Sequence, residues 1–221
     1  MANFDSGSCF DFDFDDRRSR YKLQHDERTR PLTRLYQIHN LAIKLHSVMA
    51  AEVIENNNGK TTSVLLFTEV TNSSAIKNKV IAEDIPACVI RAEFILDLFQ
   101  LQCAVKKALV NNINGAMKTR KVTTEVLYQL SPTKNIRESL RTFGARDDER
   151  TIVVVLINDE ENRHQTLLRE SINGVQVGLD RLSEFSNAAA LQNMFKIGEK
   201  EMSVGGLLDG IITRMAVKDI A

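Results

Sequence analysis

The chain is 221 residues long and carries 29 basic and 29 acidic side chains, so its formal net charge is zero. A hydrophobic share of 43% and a charged share of 26% are ordinary for a globular protein and exclude a collagen-like or wholly disordered chain. The neutral total also excludes a basic field over the whole molecule, so any contact with nucleic acid requires a local patch.

The cysteines indicate a reducing compartment, and the hydropathy pattern indicates a chain that does not span a membrane. The three cysteines, Cys9, Cys88 and Cys103, lack the paired spacing of a disulfide framework or a zinc site. No apolar run approaches the roughly 18 residues of a membrane helix, and the first residues lack the basic and apolar regions of a secretory signal. We therefore expect a protein of the cytoplasm and nucleus that has no membrane partner.

Residues 1–34 differ in composition from the rest of the chain. Phe10, Phe12 and Phe14 alternate with aspartates, and seven Lys or Arg residues follow between Arg17 and Arg34. The alternation is compatible with a strand, but an acidic block followed by a basic block is typical of a solvated tail. We predict a disordered N-terminal extension over 1–34, with a partner-binding or localisation role as the functional alternative, and one domain over 35–221.

The first part of that domain predicts a mixture of strands and helices. The pattern of 37–45 fits either a strand or a helix, and the four residues 56–59 (Asn, Asn, Asn, Gly) indicate a loop. The predicted elements that follow are a strand over 63–67, a helix over 72–82 and an apolar run over 88–96.

The second part of the domain carries clearer signals. Asp97 with Gln100 and Asn135 with Glu138 resemble capping boxes, so we predict helices over 97–112 and 135–144. An unbroken apolar run marks 151–158 as a central strand that is covered on both faces. The remaining predicted elements are strands over 125–130 and 175–179 and helices over 163–172, 187–195 and 203–219. This alternation predicts an α/β (α+β) fold, a single compact domain with a mixed β-sheet packed with helices.

The motifs of common enzymes are absent from the sequence. Neither a Walker-type loop nor a dinucleotide-binding glycine motif is present, and Gly205-Gly206 before the last helix has no accompanying lysine. His39 and His46 could share a helix face, but no third ligand is close in sequence. We therefore expect no catalytic residue, no metal and no cofactor, and we expect that the protein is not an enzyme.

A basic segment is hidden by the neutral total charge. Between Gln102 and Arg141 there are eight Lys or Arg residues and two Glu residues, a local net charge of +6. One interpretation is a solvated helix face with a basic loop, and the other is a patch that contacts phosphates.

The last predicted helix has an apolar face that is wider than one amphipathic stripe. Its apolar residues are Val204, Leu207, Leu208, Ile211, Ile212 and Met215. Gly206 and Gly210 lie on one side of it, where a neighbouring backbone can come close. The helix either packs on the domain's own sheet or is partly exposed for a partner, and the spacing alone leaves both interpretations open.

Several motifs resemble one family when they are taken in order. They are Val64–Phe67, Asp97–Gln100, Met117–Arg120, Thr124–Pro132, the segment from Asn135 to Gly144, Gly205–Met215 and Lys218–Ile220. Together they are similar to the TPRKB family, the PRPK-binding subunit of the KEOPS complex. The resemblance covers roughly residues 60–221 and extends to 37–45, but it includes neither residues 1–34 nor the Asn-rich loop at 56–59.

The resemblance implies a compact α/β subunit without catalytic activity of its own. Proteins of this kind bind the PRPK-like kinase/ATPase of KEOPS, contact the other KEOPS subunits indirectly and help to capture tRNA through its single-stranded CCA end. The complex then makes threonylcarbamoyladenosine next to the anticodon. Two alternatives stay open, namely a pure kinase-binding scaffold without tRNA contact and a small enzyme acting on a nucleotide.

The resemblance gives a use to both unassigned features. We expect Lys107, Lys118 and Arg120 in the basic segment to contact tRNA phosphates. We expect Leu208, Ile211 and Met215 of the last helix to bind the kinase, because an interface core is apolar and poor in charge.

Overall fold

The computed structural model describes residues 52–55, 61–82, 85–159 and 163–219, which all belong to one unit, Ser47–Ala221. The predictions made for 1–34, for 37–45 and for the loop at 56–59 lie outside these described residues. His39 and His46 lie outside them as well.

A five-stranded sheet forms the centre of the described fold. Its strands are β1 (Glu52–Glu55), β2 (Thr61–Thr68), β3 (Ala87–Arg91), β4 (Ile152–Ile157) and β5 (Val175–Val177). The strand order is β1-β2-β4-β3, and β5 pairs with β2 on the side away from β4, beyond the end of β1. The predicted fold class is confirmed.

The pairing of the sheet differs from the predicted mixed sheet. Each pairing among the described strands is antiparallel, including those of β4 with β2 and with β3. Strands that alternate with helices pair in parallel only when each helix returns the chain to the starting end of the sheet. The connections from β2 to β3 and from β4 to β5 do return the chain to that end, since the two strands of each pair run in the same direction. However, β4 lies between β2 and β3, and β2 lies between β4 and β5, so each strand has antiparallel neighbours. The sequence pattern alone does not reveal which strands become neighbours.

Nine α-helices surround the sheet within the described ranges, and two short 3₁₀ turns accompany them. The helices are α1 (Ser73–Ala82), α2 (Leu98–Ile113), α3 (Val122–Leu130), α4 (Ile136–Phe143), α5 (Arg163–Ser171), α6 (Leu182–Phe185), α7 (Ala188–Phe195), α8 (Glu199–Met202) and α9 (Gly206–Val217). The predicted helices over 72–82, 97–112, 135–144, 163–172, 187–195 and 203–219 are confirmed with small shifts of their ends.

Helices cover both faces of the sheet. Successive side chains of a strand point to opposite faces, so each central strand contributes to two cores. Val64, Leu66, Val153 and Val155 belong to one core, which helices α2, α3, α4, α7 and α9 complete. Leu65, Phe67, Val154 and Leu156 belong to the other, which α1 and α5 cover. The prediction that 151–158 is a central strand covered on both faces is therefore confirmed.

The segment 125–130 was predicted as a strand and this prediction is wrong, because it forms most of helix α3. All six residues of this segment are buried, so the run looks equally apolar at a period of two and of 3.6. The helix is enclosed by α2, α4 and β3, and tertiary packing rather than local periodicity decides its conformation.

The predicted caps are present with altered details. Asp97 accepts a hydrogen bond from Phe99 N, but Gln100 accepts from Leu96 N, one residue before the cap. Asn135 accepts from Glu138 N, as predicted. Gly144 ends α4 in extended conformation, with φ −68°, and pairs with Ile90 at the edge of β3. A Cβ atom there would lie 2.6 Å from the carbonyl oxygen of Leu140, so close approach rather than a left-handed backbone requires glycine.

Candidate nucleic-acid and partner interface

A loop of residues 114–121 joins α2 to α3 and is organised by one buried carboxylate. Glu125 lies in the first turn of α3 with its side chain fully buried. Its Oε2 accepts hydrogen bonds from Lys118 N at 3.0 Å, Thr119 N at 2.9 Å and Thr119 Oγ1 at 3.0 Å. Its Oε1 accepts from Asn111 Nδ2 at 3.2 Å and from Gln129 Nε2 at 2.8 Å.

These five hydrogen bonds explain both the charge of Glu125 and the shape of the loop. Burial by itself raises the pKa of a carboxyl group, but the hydrogen bonds favour the anion and the pKa of Glu125 falls below its ordinary value. The anion is saturated by donors from the loop and its flanking helices. The loop backbone is therefore held in place without use of the lysine and arginine side chains.

Two of the predicted tRNA contacts lie on this loop. The side chains of Lys118 and Arg120 are exposed, and neither forms an ion pair with any residue in the described part of the chain. Since Glu125 is buried beneath them and occupied by backbone donors, it leaves their charges available. The structure thus displays two cations on a fixed backbone.

Lys107, the third predicted contact, is used inside the protein. It lies on α2, and its Nζ donates to Met215 O at 2.8 Å and forms an ion pair with Asp219 at 3.0 Å. These contacts tie α2 to the end of α9. A phosphate contact by Lys107 stays a prediction, and it would share the ammonium group with two internal acceptors.

Asp219 lies at the centre of a lysine cluster that the sequence analysis did not single out. Burial raises the pKa of Asp219, but Lys107, Lys218 and Lys118 outweigh it and lower that pKa overall. Lys118 of the loop acts on Asp219 only through its charge and is the weakest of the three influences, whereas the ion pair with Lys107 joins α2 to the end of α9. The only sequence signal for the cluster is the Lys218–Ile220 motif of the family resemblance.

Lys218 is a buried lysine with an aromatic partner. Its side chain is almost fully enclosed, its Nζ donates to the carbonyl oxygen of Tyr128, and it lies 3.5 Å from the centroid of the Tyr128 ring. Burial lowers the pKa of Lys218 to about 8, and the charge of Asp219 only partly opposes this shift. The cation–π contact and the hydrogen bond together fix the end of α9 on α3.

A groove of about 850 Å³ opens beside Lys218. Three further basic residues line it, Lys134, Lys196 and Arg214, together with apolar side chains such as Pro132 and Met194. Arg214 is held by Glu201 at 2.8 Å and by the carbonyl oxygen of Lys196 at 3.0 Å. The combination of cations and apolar surface suits an anionic ligand that also carries flat or apolar groups.

Two of the three residues predicted to bind the kinase are buried in the core. Ile211 is 0% exposed and Met215 is 3% exposed, and both belong to the same core as α2. A side chain without accessible surface cannot contact a partner, so we correct this part of the prediction and assign both residues to the core. Leu208 lies on the same helix and is partly exposed.

Gly210 also serves the fold rather than a partner. A Cβ atom at this position would lie 2.8 Å from Ile197 Cδ1 and 3.2 Å from Glu201 Oε1. The close approach that the sequence suggested is therefore made by the chain's own segment after α7. More of the apolar surface of helix α9 is used for packing within the domain than the sequence pattern indicated.

An exposed apolar stripe is instead found on α2. Phe99 is 51% exposed, Val110 is 45% exposed and Ile113 is 61% exposed. With Cys103 and Lys106 they fall within an arc of about 80° at 3.6 residues per turn, and we call these five residues the α2 stripe. The opposite side of α2 packs in the core, with Leu101, Ala104, Val105 and Ala108 buried. The sequence pattern predicts this helix, but it does not show that Phe99, Val110 and Ile113 are exposed.

Neither a metal-binding cluster nor a membrane-spanning helix occurs among the described residues. Among these residues no group of three or more His, Cys, Asp or Glu side chains is arranged to hold a metal ion. No helix in the described part of the chain combines the length and the apolar character needed to cross a membrane.

The similarity to known proteins includes the segments that form α2, the basic loop and α9. Residues 67–219 match the family described as kinase binding protein CGI-121. The EKC/KEOPS complex subunit TPRKB of Danio rerio is 33% identical over 162 residues, which cover 73% of this chain and 93% of that protein. The EKC/KEOPS complex subunit CGI121 of Kluyveromyces lactis is 30% identical over 129 residues, which cover 58% of this chain and 80% of that protein. The predicted resemblance is confirmed, and the chain belongs to the CGI-121 family of kinase-binding proteins.

Proposed function

We propose that this protein is a non-catalytic accessory subunit of a KEOPS complex, which binds the kinase subunit of that complex and helps to recruit tRNA. The family description supports kinase binding, and the names of the relatives support membership of the complex. The observation that carries the proposal is the pair of neighbouring surfaces on one rigid frame. The α2 stripe exposes Phe99, Val110 and Ile113 beside Cys103 and the charged Lys106. The loop after the same helix displays Lys118 and Arg120.

The α2 stripe suits the kinase-binding role better than α9 does. The core of a protein–protein interface is apolar, and aromatic residues are enriched among its energetic anchors. Phe99 supplies such an anchor, and Val110 and Ile113 extend the apolar surface over four helical turns. Because these side chains project from a well-packed helix, binding requires little ordering of the free protein.

Carboxylates placed on the stripe test the kinase interface. The variant Phe99→Asp with Ile113→Asp should fold normally, because both side chains are already exposed in the free protein. In a complex it would bury two unpaired charges, which costs several kcal/mol and lowers affinity by about a hundredfold or more. The measurement is the dissociation constant for the purified kinase subunit, together with circular dichroism and melting of the variant.

A matched control lies on the other face of the sheet. Ile81 on α1 is 72% exposed, so Ile81→Asp changes an apolar residue that is at least as exposed as Phe99 and Ile113 and lies on the other side of the sheet. Its kinase affinity should stay at the wild-type value. If the stripe variant folds and binds the kinase as tightly as this control does, the interface is not on α2.

The tRNA role is tested at the loop. Phosphate contacts by Lys118 and Arg120 release counterions, so their removal should weaken tRNA binding and flatten its salt dependence by roughly 0.7 per contact for single-stranded RNA. The variant Lys118→Ala with Arg120→Ala keeps the Glu125 hydrogen bonds, because those involve the backbone of the loop and Thr119. Electrophoretic mobility of tRNA with and without its CCA end, over a series of salt concentrations, measures both effects.

The control for charge removes two exposed arginines elsewhere. Arg150 and Arg163 lie before β4 and at the start of α5, and Arg150→Ala with Arg163→Ala changes the net charge by the same amount. This control should bind tRNA like the wild type. Equal affinity and equal salt slope for both double variants would favour the alternative of a pure kinase-binding scaffold.

A further inference from the structure

A second groove runs along the outer edge of β3 and takes no part in the proposed functions. It has a volume of about 610 Å³ and lies between α1 on one side and α3 and α4 on the other. Its lining is mainly aliphatic, with Val80 and Ile81 from α1, Ile85 and Val89 beside and within β3, and Leu127 and Leu140 from α3 and α4. Most of this apolar surface is buried, but Ile81 at the rim is 72% exposed.

The rim of this groove is basic. Lys77, Lys121, Arg141 and Arg146 line it, and the acidic residue among the lining side chains is Asp147. Asp147 forms an ion pair with Lys77 at 2.8 Å. Arg141 and Arg146 are exposed and form no ion pair with a described residue. The groove therefore combines an aliphatic floor with a rim that carries a net positive charge.

The edge of β3 is partly paired already. Ala145 N donates to Val89 O at 3.0 Å, and Gly144 forms a bridge with Ile90. The edge of a sheet accepts an extended segment by main-chain hydrogen bonds, and alternate side chains of such a segment enter pockets on one face. The short pairing with 144–145 shows that this edge accepts extended backbone. At the other end of β3, Ala87 N already donates to Ile85 O at 2.7 Å, so a segment bound there relies mainly on the side chains of the groove.

We propose that this groove binds an extended segment of a partner protein in which apolar side chains alternate with carboxylates. In an extended segment, neighbouring side chains point in opposite directions. One set would enter the aliphatic floor, and the other set would face Arg141 and Arg146 at the rim. Electrostatic complementarity of this kind selects the partner and speeds association.

The lining favours a peptide over a nucleic acid. Surfaces that bind single-stranded nucleic acids combine basic residues with aromatic side chains on which bases stack. The lining of this groove is aliphatic and contains no Phe, Tyr, Trp or His among the described residues. Aliphatic pockets suit apolar side chains instead. The α2 stripe lies on another part of the surface, whereas the groove borders the basic loop at Lys121. Competition between tRNA and the peptide therefore distinguishes this inference from the proposed tRNA role.

A short synthetic peptide provides the probe. Residues 10–15 of this chain read Phe-Asp-Phe-Asp-Phe-Asp, so a fluorescent, acetylated peptide of that sequence has the required alternation. The full chain carries the same sequence and would compete with the probe, so the protein used has Phe10, Phe12 and Phe14 replaced by serine. Affinity is measured by anisotropy, and we expect a dissociation constant on the order of 10–100 µM. The matched peptides replace aspartate by lysine in one case and phenylalanine by serine in the other. Both should bind at least about tenfold more weakly.

Variants locate the binding within the groove. Arg141→Glu with Arg146→Glu should weaken the aspartate peptide by about tenfold or more, because both changed residues are exposed at the rim. Ile81→Asp should weaken it as well, whereas Arg150→Glu with Arg163→Glu should leave it unchanged. Phe99→Asp with Ile113→Asp should also leave peptide binding unchanged, whereas we expect it to weaken kinase binding.

Three outcomes would overturn the inference. The first is a peptide that does not bind at millimolar concentration, or that binds the rim variant as well as it binds the wild type. The second is tRNA that competes with the peptide and loses affinity in the same rim variant, which would make the groove a nucleic-acid site. The third is a dimer of the chain that the rim variant abolishes and the peptide does not affect, which would make the groove an interface between copies.

Discussion

At the scale of single residues, Glu125 determines how the basic loop is presented. Its carboxylate is buried and accepts five hydrogen bonds, three of them from Lys118 and Thr119. A buried charge is tolerated when hydrogen bonds replace its hydration. Because the loop supplies the donors through its backbone, a side chain that contacts no ligand positions two side chains that we propose to bind tRNA.

Replacement of Glu125 should therefore damage both stability and tRNA binding. Glu125→Ala leaves five donors without their acceptor, and we expect unfolding to require about 3–5 kcal/mol less free energy at pH 7. The pKa of Glu125 is lowered in the folded state, so its contribution is complete above the ordinary carboxyl pKa of about 4.5 and is lost as the pH falls through the folded value.

Urea unfolding of wild type and Glu125→Ala at pH 7 and below pH 4 measures this effect. The difference between the two proteins should shrink in acid. Thr124→Ala is a suitable comparison, since its hydroxyl bonds only to the carbonyl oxygen of Lys121. A difference that is independent of pH would mean that cavity formation, and not the charge, accounts for the loss.

Lys218 should make stability rise with pH in mildly alkaline solution. Burial lowers the pKa of Lys218 from 10.5 to about 8, with smaller effects of Asp219, Lys107 and Glu125. Between these values the unfolded chain binds more protons than the folded chain, so the free energy of unfolding increases with pH. Burial and nearby acidic groups raise the pKa of Tyr128 in the folded state, so the ionisation of this tyrosine lowers stability above pH 10. The effect of Lys218 is therefore best measured below pH 10.

The measurement is urea unfolding at pH 7.5, 8.5 and 9.5 for wild type and Lys218→Met. We expect a gain of about 1–2 kcal/mol in the wild type over this range and a flatter profile in the variant. Parallel profiles for the two proteins would show that Lys218 titrates near its ordinary pKa.

At the scale of the elements, α2 and α9 exchange the roles that their sequences suggest. Helix α9 has the wider apolar surface, yet Ile211 and Met215 are buried within the domain. Helix α2 has an ordinary amphipathic pattern, yet it exposes Phe99, Val110 and Ile113. The exposed face of an element depends on what packs against it, and no property of the isolated helix determines that.

The two glycines of α9 should respond differently to substitution. Gly206 has φ +78° and open space around its missing Cβ, so Gly206→Ala should cost about 1–2 kcal/mol through backbone strain alone. At Gly210 the nearest atom to an added Cβ is the end of the Ile197 side chain. Gly210→Ala should therefore be close to neutral, because a helix gains about 1 kcal/mol from alanine over glycine.

A larger side chain at the second glycine separates packing from backbone effects. Gly210→Val should cost about 1–3 kcal/mol, since Ile197 is buried and cannot move far enough. Thermal melting of the three variants provides the order of stabilities. If Gly210→Val melts like the wild type, the contact between α9 and Ile197 is looser than its geometry indicates.

At the scale of the whole molecule, the sheet separates two cores. Neighbouring residues of β4 point into different cores, Val155 toward α2 and α3 and Val154 toward α1 and α5. Both side chains are 0% exposed. This arrangement makes the sheet a rigid centre, on which the α2 stripe and the basic loop occupy one layer.

A pair of neighbouring substitutions tests this two-sided packing. Val154→Ala and Val155→Ala should each lower the free energy of unfolding by about 2 kcal/mol, because each leaves a cavity in a closed core. In a sheet with one solvated face, one of the two changes would be nearly neutral. Equilibrium urea unfolding of both variants decides between these cases.

The local features of the fold were predictable because they depend on nearby residues. Caps at Asp97 and Asn135 and the apolar run of β4 act within one turn or one strand, and they placed their elements correctly. The segment 125–130 failed because burial on all sides removes the periodicity that separates a helix from a strand. The antiparallel pairing of the sheet also escaped prediction, because it depends on which strands become neighbours, and β4 lies between β2 and β3.

The sequence by itself determined the family, the α/β class, the basic segment and the helices that carry the surface features. These properties depend on residue type, order and spacing, which the chain carries whether folded or not. Only the tertiary structure decided which side chains reach the surface, because burial depends on contacts between distant segments. It placed Ile211 and Met215 in the core, tied Lys107 to Asp219, and left the α2 stripe, Lys118 and Arg120 exposed.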